Sequence, residues 1–167
     1  QEQGKQVQAS SVEKVSGHFR FADRSIECVD VPGLYSMPAV SSDESVAAAV
    51  IEATEHGDVP DLLVVVLDAA NLERNLFFFS QVIESKLPTI VVLTMTDVLQ
   101  KEGKSLDLKT FESHVGTKAI AVVSHKNLGV DDLKAAIDKA LSAPVIPSVD
   151  VGFPEAVSKA VDSGHYM

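Results

Sequence analysis

Val66-Leu67-Asp68-Ala69-Ala70-Asn71-Leu72-Glu73-Arg74-Asn75-Leu76 joins two stretches of different period. On its N-terminal side Leu62 to Leu67 is apolar without a break, the pattern of a central parallel strand covered on both faces. On its C-terminal side Leu72, Leu76, Phe79 and Ile83 recur at i, i+4, i+7 and i+11, which is one face of a helix. Asn71 is the expected N-cap and Pro88 the stop. A buried strand feeding an amphipathic helix is the repeating unit of a helix-flanked parallel sheet, so the class is α/β.

The same alternation continues in both directions. His18 to Phe21 and Ser25 to Val31 read as two strands joined by the turn Ala22-Asp23-Arg24, hence a hairpin. Ser41 with Glu44 forms a capping box ahead of a helical face carrying Val46, Val50 and Thr54. Ile90 to Leu93 and Ala119 to Val123 are expected as further buried strands. Between them Leu108, Phe111 and Val115 share one face of a short helix. Gly129 opens a last helix whose inward positions are Leu133, Ile137 and Leu141, and Asp131 with Asp132 complements the dipole at its start. The boundaries that follow are a main domain over residues 1–143 and, over 144–167, a linker through Pro144 and Pro147 with the start of a helical segment from Pro154.

Composition narrows the partners. The chain has 167 residues, 46% of them hydrophobic, enough for the core of one globular domain. A net charge of -10 argues against a nucleic-acid surface and against recruitment by an anionic leaflet. The longest apolar runs are far shorter than the ~18 residues of a membrane span. One cysteine excludes an internal disulfide, and Cys28, inside the second expected strand, is read as a small core residue. The five histidines have no second ligand at zinc-like spacing.

Three strand ends carry polar groups suited to a nucleotide. Asp30-Val31-Pro32-Gly33 ends the hairpin. A carboxylate at Asp30 can hold Mg2+ through water, and the Gly33 backbone can bring its N–H to a terminal phosphate; such stretches also mark ordinary turns. Thr94-Met95-Thr96-Asp97 follows the next strand but one. Asp97 can accept from the ring N–H and the exocyclic amine of guanine together, a donor pair adenine lacks; the competing reading is a carboxylate that ends the strand or caps a turn. Ser124-His125-Lys126 follows the last strand, and His125 reads as a loop residue rather than a metal ligand. No Gly-x-x-x-x-Gly-Lys-Ser/Thr loop occurs in the sequence.

Taken together, Ser11-Val12-Glu13-Lys14, Asp30-Val31-Pro32-Gly33-Leu34-Tyr35-Ser36, Asp43-Glu44, Val66-Leu67-Asp68, the run Asn71 to Leu76 and the strand leading to Asp97 resemble the cytoplasmic GTPase domain of the bacterial ferrous-iron transporter family FeoB, from about Ala9 to Leu141. The resemblance implies a Ras-like P-loop GTPase fold, a mostly parallel sheet flanked by helices, with the first strand and phosphate loop upstream of Gln1. That strand is expected between the ones ending at Asp30 and Asp68. Without it two strand edges face a gap, at a loss exceeding the ~5–15 kcal/mol stability of a whole domain. An equivalent strand then has to come from upstream residues or, by exchange, from another subunit.

Residue by residue, the resemblance implies that Ser11 and Asp30 hold Mg2+. It implies that Ser11, Asp30, Gly33, Thr94, Met95, Asp97, Ser124, His125 and Lys126 bind nucleotide, the last three through a backbone N–H on the guanine carbonyl. Asp68 and Asn71 to Asn75 support the site. Leu34 stands where faster enzymes hold a water-positioning Gln, so slow hydrolysis is expected. Thr94 replaces the family's Asn, and Ser10-Ser11 its Val-Thr. The implied ligands are GTP or GDP with Mg2+, with room for a monovalent cation. The implied partner is the transmembrane region of the same transporter, and the implied location is the cytoplasmic side of the inner membrane. A non-hydrolysing nucleotide-sensing or self-associating module is the alternative.

Overall fold

A computed structural model of the chain describes residues 15–30 and 59–148. The capping box at Ser41 and the segments around Ser11, Gly33 and Pro154 lie outside these residues. In chain order the elements are β1 (Val15–Phe21), β2 (Arg24–Asp30), β3 (Leu63–Asp68), α1 (Leu72–Ile83), β4 (Thr89–Thr94), α2 (Thr96–Lys101), α3 (Leu108–Val115), β5 (Ala119–Ala121) and α4 (Val130–Ser142).

β1 and β2 form an antiparallel hairpin in which Phe21 faces Arg24, so the turn is the two residues Ala22 and Asp23. Ala22 takes a φ of 51° there, the left-handed geometry a tight hairpin demands even of a residue with a Cβ. The other sheet is parallel, in the order β3-β4-β5. Val64 pairs with Ile90 and Val66 with Val92, and Leu93 lies opposite Ala121. The strands end together at their carboxyl ends.

Two cores sandwich this sheet. Val65 and Leu67 of β3, Val91 and Leu93 of β4 and Ala119 of β5 meet Leu72, Leu76, Phe79 and Val82 of α1 and Phe111 and Val115 of α3. Phe79 is fully buried, and burial of such a side chain contributes about 1.5–3 kcal/mol. On the opposite face Ile90, Val92, Ile120 and Val122 pack against Ile137 of α4, with Leu133 and Leu141 partly buried beside it. The helical period brought Leu72, Leu76 and Phe79 inward as expected. Val82 closes the α1 stripe more completely than Ile83, which is only partly buried.

Three expectations are corrected. β3 is not covered on both faces: Val65 and Leu67 are buried, but Val64 and Val66 are exposed, Val66 to 53%. The second core is built on the columns of β4, β5 and α4, and among the described residues β3 pairs with β4 alone. Cys28 is exposed rather than buried in a core, although partial desolvation still pushes its thiol pKa up. Asn71 occupies the N-cap of α1 as expected, although its side chain makes no capping bond. The last strand is shorter than Ala119 to Val123, since Val123 leaves the sheet to bridge Leu128.

The hairpin and the parallel sheet are separate sheets. Phe19 and Ile26 of the hairpin lie against the α4-side core. Arg24 holds the hairpin to α4 through Asp138, 3.0 Å away, and through a hydrogen bond of 2.9 Å to Ser142. The tract after α4 also packs back, as the Thr89 N–H donates to the Val145 carbonyl at 3.0 Å and Pro147 is buried. Among the described residues no helix is long and apolar enough to cross a membrane.

Candidate functional site

Ligands of open parallel sheets dock outside the carboxyl ends of the strands. Three loops of this chain emerge there, after Asp68, Thr94 and Ala121.

The first loop is braced by its own side chains. Asp68 accepts from the Ala70 N–H at 2.8 Å and from Asn71 Nδ2 at 2.7 Å, so both carboxylate oxygens are occupied. Its backbone N–H donates to Asn75 Oδ1 at 3.2 Å, and Asn75 Nδ2 donates to the Asn71 carbonyl at 2.7 Å. Asn75 is 7% exposed. A buried amide is retained where it satisfies backbone groups that would otherwise be stranded, and here those groups fix the passage from β3 through the 3-10 turn Ala69–Asn71 into α1.

The second loop positions Asp97. Thr94 donates its hydroxyl to the Leu67 carbonyl at 3.2 Å, linking β4 to β3. Met95 then takes φ 58° and ψ 21°. A left-handed Met is uncommon, and such residues concentrate at functional turns. It reverses the chain directly into α2, because the Val98 and Leu99 N–H groups both return to the Met95 carbonyl at 3.1 Å. Asp97 thereby sits in the first turn of α2, with its side chain only 12% exposed.

The third loop closes on the second. Ser124–Lys126 is a 3-10 turn, clamped by reciprocal hydrogen bonds between Val123 and Leu128 of 3.0 and 3.2 Å. Asn127 adopts φ 53°, and Gly129 φ 80°. A Cβ at Gly129 would run into the Ala121 carbonyl, so only glycine allows the loop to pass this close to β5. His125 Nε2 comes to 3.6 Å from Asp97 Oδ2.

Of the expected site residues, the structure brings Thr94, Met95, Asp97, Ser124, His125 and Lys126 into one place, at the carboxyl ends of β4 and β5. Asp30 ends β2, exposed, in the other sheet. Ser11 and Gly33 lie outside the described residues. Among the described residues no three acidic, histidine or cysteine side chains cluster as a metal site. Asp30 alone offers one carboxylate, the usual protein share of a Mg2+ otherwise held by water and phosphate. Asn75 was expected among the residues that support the site, and what the sequence did not show is its burial and the two backbone groups it holds. Nor did the sequence show helix α2.

The comparisons with known proteins agree on one group. The family model described as Ferrous iron transport protein B matches residues 7–137. The Fe(2+) transporter FeoB of Salmonella typhimurium and that of Escherichia coli are each 38% identical over 133 residues, which make up 77% of this chain and 17% of either relative. The chain thus spans well under two thirds of the length of these relatives. Among solved structures, the cytosolic domain of L. pneumophila FeoB is similar at 34% identity and a TM-score of 0.69, over 87% of this chain and 57% of that one. The FeoB G-domain from Methanococcus jannaschii is 34% identical, with a TM-score of 0.66 over 79% of this chain and 80% of that one. The cytosolic domain of T. maritima FeoB in its GMPPNP form is 27% identical, with a TM-score of 0.71 over 85% of this chain and 55% of that one.

Proposed function

Because this chain belongs to the ferrous iron transport protein B family, we propose that it is the guanine-nucleotide-binding, slowly GTP-hydrolysing regulatory domain of a membrane ferrous-iron transporter, on the cytoplasmic side of the inner membrane. The observation that carries this reading is the nearly buried Asp97 carboxylate, presented at the carboxyl end of β4 beside the clamped turn Ser124–Lys126. A fixed carboxylate complements the N1–H and 2-amino groups of guanine. Two charge-assisted bonds at about 1.5–3 kcal/mol each discriminate against adenine by roughly two to four powers of ten.

In this reading Asp30 and Ser11 hold Mg2+ against the phosphates, and the Gly33 N–H meets the terminal one. Leu34 supplies no group to orient a water, so hydrolysis is slow. Release of the terminal phosphate removes its contacts with Ser11 and Gly33, and that loss is what signals to the transporter's transmembrane region, the intramolecular partner. The phosphate loop arrives on a strand beside β3, whose second edge is unpaired among the described residues and whose Val64 and Val66 are exposed there. That strand comes from the same protein or, by exchange, from a second copy.

A non-hydrolysing sensor is favoured by one observation. The Thr94 hydroxyl is already committed to the Leu67 carbonyl, leaving no side-chain donor at that position for the base. The test is displacement of fluorescent GDP from the intact protein by GTP or ATP, in wild type and Asp97→Asn. We expect displacement by GTP and not ATP, and an Asp97→Asn loss of about a hundredfold with a gain for xanthine nucleotides, whose 2-carbonyl suits an amide donor. Absence of guanine binding refutes the reading. Binding without phosphate release selects the sensor.

A further inference from the structure

Arg24 and Asp30 stand at opposite ends of β2 and share one of its faces. The β1–β2 ladder runs from Val15 opposite Asp30 to Phe21 opposite Arg24 without a bulge. Side chains alternate along such a strand, so Arg24, Ile26, Cys28 and Asp30 belong to the same face. That face is the one seated on α4. Ile26 and, directly across the ladder, Phe19 lie against the core beneath that helix. Arg24 Nε meets Asp138 Oδ1 at 3.0 Å, and the same guanidinium donates to Ser142 Oγ at 2.9 Å. Ser142 Oγ in turn donates to the Asp138 carbonyl at 3.0 Å. Two groups one helical turn apart therefore hold one planar guanidinium, which fixes the roll of β2 as well as its position.

We propose that Arg24 is a positioning residue for the Asp30 carboxylate: its clasp on Asp138 and Ser142 sets the tilt and roll of the hairpin, and with them the place from which Asp30 meets Mg2+ and its waters. The inference rests on the reading of Asp30 as a Mg2+ carboxylate. Asp30 is exposed, and among the described residues no hydrogen bond or ion pair steers its side chain. The Asp68 carboxylate, by contrast, is fixed by two bonds within its own loop. The strand alone aims Asp30. Asp30 stands four residues beyond Ile26, about 13 Å along the strand, so a tilt of about 5° on the apolar seat moves it by roughly 1 Å. Mg2+ holds its waters in near-ideal octahedral geometry, and a shift of roughly 1 Å takes a carboxylate out of hydrogen-bond range of them.

The clasp is a partly exposed ion pair with one hydrogen bond, so its removal should weaken Mg2+ binding by about two- to fivefold. The experiment follows a fluorescent, non-hydrolysable GTP analogue on the intact protein across a Mg2+ titration. The variants are Arg24→Ala, Asp138→Ala, the double variant and Asp30→Ala. We expect Arg24→Ala and Asp138→Ala each to raise the half-saturating Mg2+ concentration about two- to fivefold, and the double variant to add nothing further. Affinity in excess chelator should stay at the wild-type value, because the base contact at Asp97 belongs to the parallel sheet. An equal loss with and without Mg2+ marks a merely structural role and overturns the inference. An unchanged midpoint in Arg24→Ala beside a raised one in Asp30→Ala also overturns it, and leaves Asp30 as the Mg2+ carboxylate in a hairpin held by the strand expected beside β2. An unchanged midpoint in Asp30→Ala overturns both.

Discussion

Replacing Asn75 by Ala should destabilise the protein far more than a substitution on the exposed face of the same helix. Asn75 is 7% exposed and spans a strand end and a helix start, accepting from the Asp68 N–H and donating to the Asn71 carbonyl. Each backbone group left unpaired in a buried setting costs about 1–3 kcal/mol, and the exposure of Asn71 lets water recover part of one of them, so the loss is about 2–4 kcal/mol. That is a large share of a domain's ~5–15 kcal/mol. Asn75→Asp separates the two bonds. It keeps an acceptor for Asp68 but sets an anionic oxygen against the Asn71 carbonyl, so it should be no better at neutral pH and should recover in acid as the new carboxyl gains a proton. The assay is equilibrium urea unfolding, with Phe77→Ala as control, because Phe77 lies on the same helix at 71% exposure and should change stability by no more than about 0.5 kcal/mol. If Asn75→Ala unfolds with the control, the brace contributes nothing and the argument fails.

Two further outcomes follow from the loops. Gly129→Ala should cost about 2–4 kcal/mol, combining a left-handed backbone with a clash against the Ala121 carbonyl. Gly103→Ala, with a φ of 74° but open space around it, should cost only the conformational part, about 1–2 kcal/mol; equal thermal shifts for the two variants would refute the close approach. Asp107 caps α3, and its hydrogen bonds from the Thr110 hydroxyl and backbone and from the Lys109 N–H lower its pKa. A depressed folded-state pKa stabilises above the unfolded value and is lost as pH falls through the folded one. Asp107→Asn should therefore flatten the stability profile on the acid side of about pH 4, as followed by thermal unfolding across pH, and an unaltered acid limb would contradict this.

The elements that periodicity marks were legible. Leu72, Leu76 and Phe79, and later Phe111 and Val115, face the core they were expected to face, because a 3.6-residue stripe has one place to go once a sheet lies beneath it. Burial of β3 was misread for a related reason. An unbroken Val-Val-Val run states that a strand is apolar, not how many helices cover it, and the second core stops at β4. Helix α2 escaped because six residues carry too few turns for a stripe, and its start depends on a left-handed Met95 that no local preference announces. At the site, Asp97 and the turn at His125 were each visible as strand-end residues. Their 3.6 Å approach was not, because it depends on how β4 and β5 align in space. The hairpin's seat against α4, where Phe19 and Ile26 join the core, had no sequence signal either.

The attachment of that hairpin bears on the order in which the chain assembles. β3 to α4 is a run of neighbours, each strand pairing with the next along the sequence across a helical connection, so its contacts close short loops. Arg24 reaches Ser142 across 118 positions. Closing a loop of that size costs more entropy and yields one partly exposed ion pair, one hydrogen bond and a small apolar contact in return. The parallel sheet and its helices can therefore form while the hairpin is still detached, and α4 must already be in place for Arg24 to find Asp138. Stability gained at Arg24 would slow unfolding without hastening folding, since the contact forms after the structure it docks upon.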